Sequence, residues 1–141
     1  MCAFRPSQPP VPPGLPPGYL QKGYFDAKGN LLPEVILDWS KEIARNLVAG
    51  RMTTSQLRGF FKEARSLETR LEAAEDFDIV RPGVLKLSVF AAQAFNKGKV
   101  PILFQQFIDT NVKLAARGEK EFMAFVSHFE CVVGFFPVNI R

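Results

Sequence analysis

Apolar residues recur with the 3.6-residue period of an α-helix along most of the chain beyond residue 32. Leu57, Phe60, Phe61, Ala64, Leu67 and Leu71 make one stripe, and Ile36, Ser40, Ile43 and Leu47 make another, with Trp39 alongside. Phe122, Phe125, Val126, Phe129, Val132, Val133 and Phe136 make a third. Pro33, Pro82 and Pro101 sit where helices begin, at first-turn positions that need no N–H. This punctuation predicts helices over residues 33–49, closed by Gly50, from 53 to near 76, and over 82–96, 101–117 and 119–136. The third stops at "NKGK", Gly118 stops the fourth, and Pro137 lies just past the fifth. No alternating apolar run with a hairpin turn is present. The expected fold is all-α, a compact bundle of about five helices.

The second helix carries the clearest start signal. Thr53 and Gln56 have capping-box spacing, and Met52 and Leu57 have hydrophobic-staple spacing. Gly59 inside it costs roughly 1 kcal/mol against Ala, which a close helix contact would explain. The last helix has a different character. Met123, Ala124 and Cys131 widen its stripe until little polar surface remains, so it is central in the bundle or covered by another copy.

Composition adds an N-terminal feature. Seven of the eleven prolines fall in "PSQPPVPPGLPP", which predicts an extended, flexible arm with polyproline II character. Residues 19–32 read as a loop laid over the domain by Tyr24 and Phe25. The expected organisation is an arm and loop over 1–32 and a helical domain over 33–141. The 141 residues are 47% hydrophobic, enough for one core, and 14 Phe at mostly helical spacing belong by default inside it.

Candidate chemistry is thin. Cys2 and Cys131 form neither a disulfide framework nor a metal site, and a reduced, cytoplasmic setting is the simpler inference. No secretory signal and no span long enough for a bilayer are present. The single imidazole, His128, stands three residues before Cys131; a nucleophilic Cys–His pair is outweighed by an ordinary surface or satisfied histidine. Glu63, Glu68, Glu72, Glu75, Asp76 and Asp78 read as a solvated helix end rather than paired catalytic acids. There is no phosphate-cradling loop. No catalytic residue, metal or cofactor is expected.

Charge changes the picture. The net charge is +4 and the isoelectric point about 9.3, which suits a polyanionic partner without requiring one. Placement is more informative. At 100° per residue Arg58, Lys62 and Arg65 fall within about 60° of each other on the second helix. Arg58 and Lys62 are a like-charge i, i+4 pair, and Arg58 lies at the end of the macrodipole that disfavours cations. Only Arg65 has an acid in range, Glu68. Arg51 extends the patch, and Lys86, Gln93 and Lys97 repeat it more weakly on the third helix. Phe61 borders the stripe, where an aromatic could stack on a base or simply pack in the core.

At these residues the chain resembles a known family. "TTSQLRGFF", Thr53 to Phe61, is similar to the signature of the small subunit of type III-A CRISPR effector complexes, a Thr-Thr-Ser-Gln-Leu-Arg core followed by aromatics. "FMAFVSHFECVVGFF", Phe122 to Phe136, looks like that family's closing helix, and the likeness spans about residues 34–136. Gly59 departs from a polar residue, often Lys; Phe135 and Phe136 stand where Tyr is frequent; the Pro-rich arm is no part of the pattern. The resemblance implies a non-catalytic helical subunit, copies of which stack along the guide RNA beside the backbone subunits and line the channel of the guide–target duplex. It implies partners in guide RNA, target RNA, the backbone and large subunits, and copies of itself. Arg58 carries over as a backbone contact; Lys62 and Arg65 follow by geometry.

The expected RNA-binding residues are therefore Arg51, Arg58, Lys62, Arg65, Lys86 and Lys97. The alternative is a helical protein-interaction module that never touches nucleic acid and works through its apolar fifth helix.

Overall fold

The computed structural model describes residues 14–73 and 76–138. The expected arm lies outside these residues up to residue 13, as do Cys2 and Glu75. The described residues form α-helices and no strand: α1 (Pro33–Ile36), α2 (Asp38–Ala49), α3 (Thr54–Glu72), α4 (Phe77–Asn96), α5 (Ile102–Ala115) and α6 (Glu119–Phe135). With the single turn α1 counted as the head of α2, this is the expected bundle of five.

The break between α1 and α2 corrects the first helix. Leu37 leaves helical geometry (φ −111°, ψ −75°). The carbonyl of Val35 there accepts from Ser40 Oγ (2.6 Å) and His128 Nδ1 (2.8 Å). The kink turns Val35 into the core in place of Ile36, which is 40% exposed. Ser40, Ile43 and Leu47 are buried as the periodicity requires.

Two boundaries also differ. Gly50 is not the left-handed residue that ends α2. Arg51 takes that conformation (φ 70°), its N–H bonding the Val48 carbonyl and that of Met52 bonding the Leu47 carbonyl. This is a Schellman cap with arginine at the glycine position. Gly50 is wanted for space, since a Cβ there would lie 2.8 Å from Cβ of Pro101.

Pro82 does not start a helix; it lies inside α4. The helix begins earlier because the Asp76 side chain caps it, accepting from the N–H of Asp78 (3.1 Å). Phe77, Val80, Val84, Leu87 and Ala91 are all buried, so one apolar stripe runs straight past the proline. Burial of these side chains, about 1.5–3 kcal/mol for each large one, outweighs the single missing N–H.

Helix α6 is the centre of the molecule, touching α1, α2, α3 and α5, while α4 packs on α3 and α5. Phe104, Phe107, Phe122, Phe125 and Phe129 are fully buried, with rings at edge and tilted angles such as Phe107 against Phe129 (5.4 Å, 89°). Tyr19, Leu20 and Tyr24 of the preceding loop belong to the same core, and Phe25 packs against it.

Candidate nucleic-acid interface

Helix α3 is placed by its first turn. Thr53 Oγ1 accepts from the Gln56 N–H (3.1 Å), and Gln56 Oε1 accepts from the Thr53 N–H (2.9 Å). Met52 and Leu57 are fully buried, closing the staple. Both signals fix the rotation of the helix. Leu57, Ala64, Leu67 and Leu71 point inward, and Arg58, Lys62 and Arg65 point out to solvent.

Arg58 and Lys62 are exposed, and among the described residues no carboxylate forms an ion pair with either. Arg65 differs. Its Nε lies 3.2 Å from Glu68 Oε1, and its guanidinium stands 5.8 Å from the centroid of Phe61. It remains half exposed, its side chain at 51%. Burial raises the Glu68 carboxyl and Arg65 pulls it back. Phe61 is half-buried and leans on Phe129 (5.2 Å), so its ring is mainly a packing group that supports Arg65.

Arg51 is exposed and precedes the same helix. Lys86 and Lys97 are exposed on α4, and Lys97 is the residue that caps its C-terminus. These two are not on the α3 face; they share a face of α4 with exposed Ile79, Val89 and Phe90. A Cβ at Gly59 would meet nothing within 4 Å, so no close helix contact accounts for that residue. It lines an open groove with Phe60 and Phe90.

Lys41 and Arg45, outside the expected set, line a depression with Val48, Phe135 and Pro137. Periodicity within α2 carries no signal for a partner at the far end of the chain.

The histidine is a structural group. His128 is fully buried, with Nε2 2.6 Å from Tyr19 Oη and Nδ1 2.8 Å from the Val35 carbonyl. One proton arrangement satisfies the whole cluster. Tyr24 donates to Asn111 Oδ1 (2.7 Å), Asn111 Nδ2 to Tyr19 Oη (2.8 Å), Tyr19 to His128 Nε2, and His128 Nδ1–H to Val35. Burial lowers the imidazole to about 4, while burial and Glu130 raise the Cys131 thiol. A thiolate–imidazolium pair needs the opposite shifts, and both ring nitrogens are occupied. No group of three or more His, Cys, Asp or Glu among the described residues could hold a metal. No helix there is long and apolar enough to cross a membrane.

A capped helix that begins with Thr-Thr-Ser-Gln-Leu-Arg, an exposed basic face and a central apolar last helix are thus one unit. The family model Csm2 Type III-A matches residues 32–138. The chain belongs to the Csm2 Type III-A family. Searches of curated proteins and of solved structures found no significant match. Csm2 membership implies a structural subunit of a type III-A CRISPR effector complex, with the other effector subunits as partners. The matched region takes in the whole bundle, α1 to α6, and starts one residue before Pro33.

Proposed function

We propose that this chain is a non-catalytic, cytoplasmic RNA-binding subunit that stacks along the guide RNA and holds the sugar–phosphate backbone of the guide–target duplex against α3. The observation that carries this reading is the state of Arg58 and Lys62: exposed, one turn apart, and unpaired among the described residues. A like-charge pair near a helix N-terminus lowers helix stability, and phosphate oxygens relieve it. Such contacts position a strand without reading its sequence, which base pairing already supplies. Arg65 and Arg51 join the same surface; Lys86 and Lys97 on α4 form a separate, weaker contact.

The test is binding of single-stranded RNA by Arg58→Ala/Lys62→Ala/Arg65→Ala across a salt series. The plot of log K against log salt flattens by about 0.7 per lost contact, about 2 for the triple variant. An unchanged slope in a normally folded variant ends the reading.

A second reading, a protein-interaction module, is favoured by one feature. Ile79, Leu85, Val89, Phe90 and Phe95 are exposed along α4. Most of the apolar stripe of the last helix is taken up inside the bundle, where α6 packs on α1, α2, α3 and α5. In the leading reading the α4 surface faces neighbouring subunits or copies of the chain. Partners retained after nuclease digestion in a pull-down favour the second.

A further inference from the structure

We infer that the depression between α2 and the end of α6 is a base-stacking subsite for single-stranded nucleic acid, continuing the α3 surface on which it rests. Its volume is about 280 Å³, close to that of small ligand clefts, and it is lined by Lys41, Arg45, Val48, Phe135 and Pro137. Phe135 is 40% exposed although Phe136, its neighbour, is buried. The bundle core therefore uses one ring of the pair and leaves the other at the surface.

The two cations make this more than an apolar hollow. Lys41 and Arg45 are one turn apart on α2, both exposed, and neither is in an ion pair among the described residues. They repeat on α2 the arrangement of Arg58 and Lys62 on α3, with an aromatic face added. A ring flanked by guanidinium and ammonium groups suits an unstacked base with its phosphates. A strand brings phosphates to both charges, a complementarity that an apolar peptide lacks.

The depression is also joined to the α3 surface. Thr54 Oγ1 donates to the carbonyl of Pro137 (3.0 Å), tying the segment after α6 to the first turn of α3, one turn before Arg58. Arg51 lies in the short connection from α2 to α3. Backbone contacts on α3 and α2 thus bracket an aromatic platform, the combination used to bind strands without sequence preference.

The experiment measures full-length protein against fluorescent oligouridine and an abasic ribose–phosphate oligomer of equal length. Phe135→Ala loses on the order of tenfold affinity for oligouridine and leaves the abasic oligomer unaffected. Phe135→Trp keeps the affinity and adds a second indole to that of Trp39, so that quenching by oligouridine exceeds that of wild type. Lys41→Ala/Arg45→Ala weakens both probes. Equal effects of Phe135→Ala on both probes, or none, overturn the subsite. So does a variant whose only change is in self-association, seen by sedimentation, which would assign the patch to a protein. The α3 triple variant on the same probes separates the failures: loss on both with no base-selective loss at Phe135 sinks the subsite alone, whereas no loss at α3 sinks the reading beneath it.

Discussion

Arg51 holds a left-handed backbone that a glycine would take with less strain. A costly conformation occupied by a cation at the edge of a basic face is the kind of exchange that function maintains. Arg51→Gly should therefore raise stability by up to about 1 kcal/mol, read from the denaturant midpoint at constant m, while RNA binding weakens. Lower stability would show that the arginine is not strained. Two glycines make a sharper contrast. Gly59 faces open space in mid-helix, and Gly59→Ala should stabilise by about 1 kcal/mol. Gly50 lies against the Pro101 ring, which cannot swing aside, and Gly50→Ala should destabilise by about 1–3 kcal/mol. Thermal melts of the pair test whether the contact governs the sign. In the sequence both are simply glycines near helix positions; only the approach of another segment distinguishes them.

At the scale of an element, α3 divides its labour between one end and one face. The Thr53 side chain is engaged in the cap, so Thr53→Ala should cost about 1 kcal/mol of stability and leave RNA affinity intact. The basic face should behave in the opposite way, with alanine at Arg58 and Lys62 leaving stability equal or a few tenths of a kcal/mol higher. Arg81 on α4 shows what a structural cation looks like here. It pairs with Asp78 and its Nε donates to the Ala116 carbonyl at the end of α5 (2.8 Å). The stripe, the staple and the capping box were all legible in α3, because each depends on spacing within one helix. Pro82 and Ile36 were not. The first was misread because burial on both sides of a proline can hold a helix through it, the second because a kink at Leu37 turns on a hydrogen bond from a residue far along the chain.

For the molecule as a whole, the buried chain from Tyr24 through Asn111 and Tyr19 to His128 sews the N-terminal loop to α5, α6 and the α1–α2 break. Its imidazole is lowered to about 4 in the folded chain from an ordinary 6.5. The unfolded chain therefore binds the extra proton between those values. Stability is whole above about pH 6.5 and falls by about 3 kcal/mol as the pH drops toward 4. Because His128 is the one imidazole in the sequence, its NMR titration is unambiguous. A midpoint near 6.5 would mean the network is open in solution.

Helical class, element order and the rotation of α3 follow from local spacing, since a 3.6-residue stripe must face a core whatever forms it; the wide stripe of α6 required a cover, and only packing decided that its own neighbours provide it. Family membership follows from the same stretches. Who pairs with whom did not follow. That Tyr19 meets His128, that Phe135 is turned out while Phe136 is turned in, and that Arg58 and Lys62 find no acid among the described residues are matters of approach between segments distant along the chain. No periodicity encodes those distances; packing sets them.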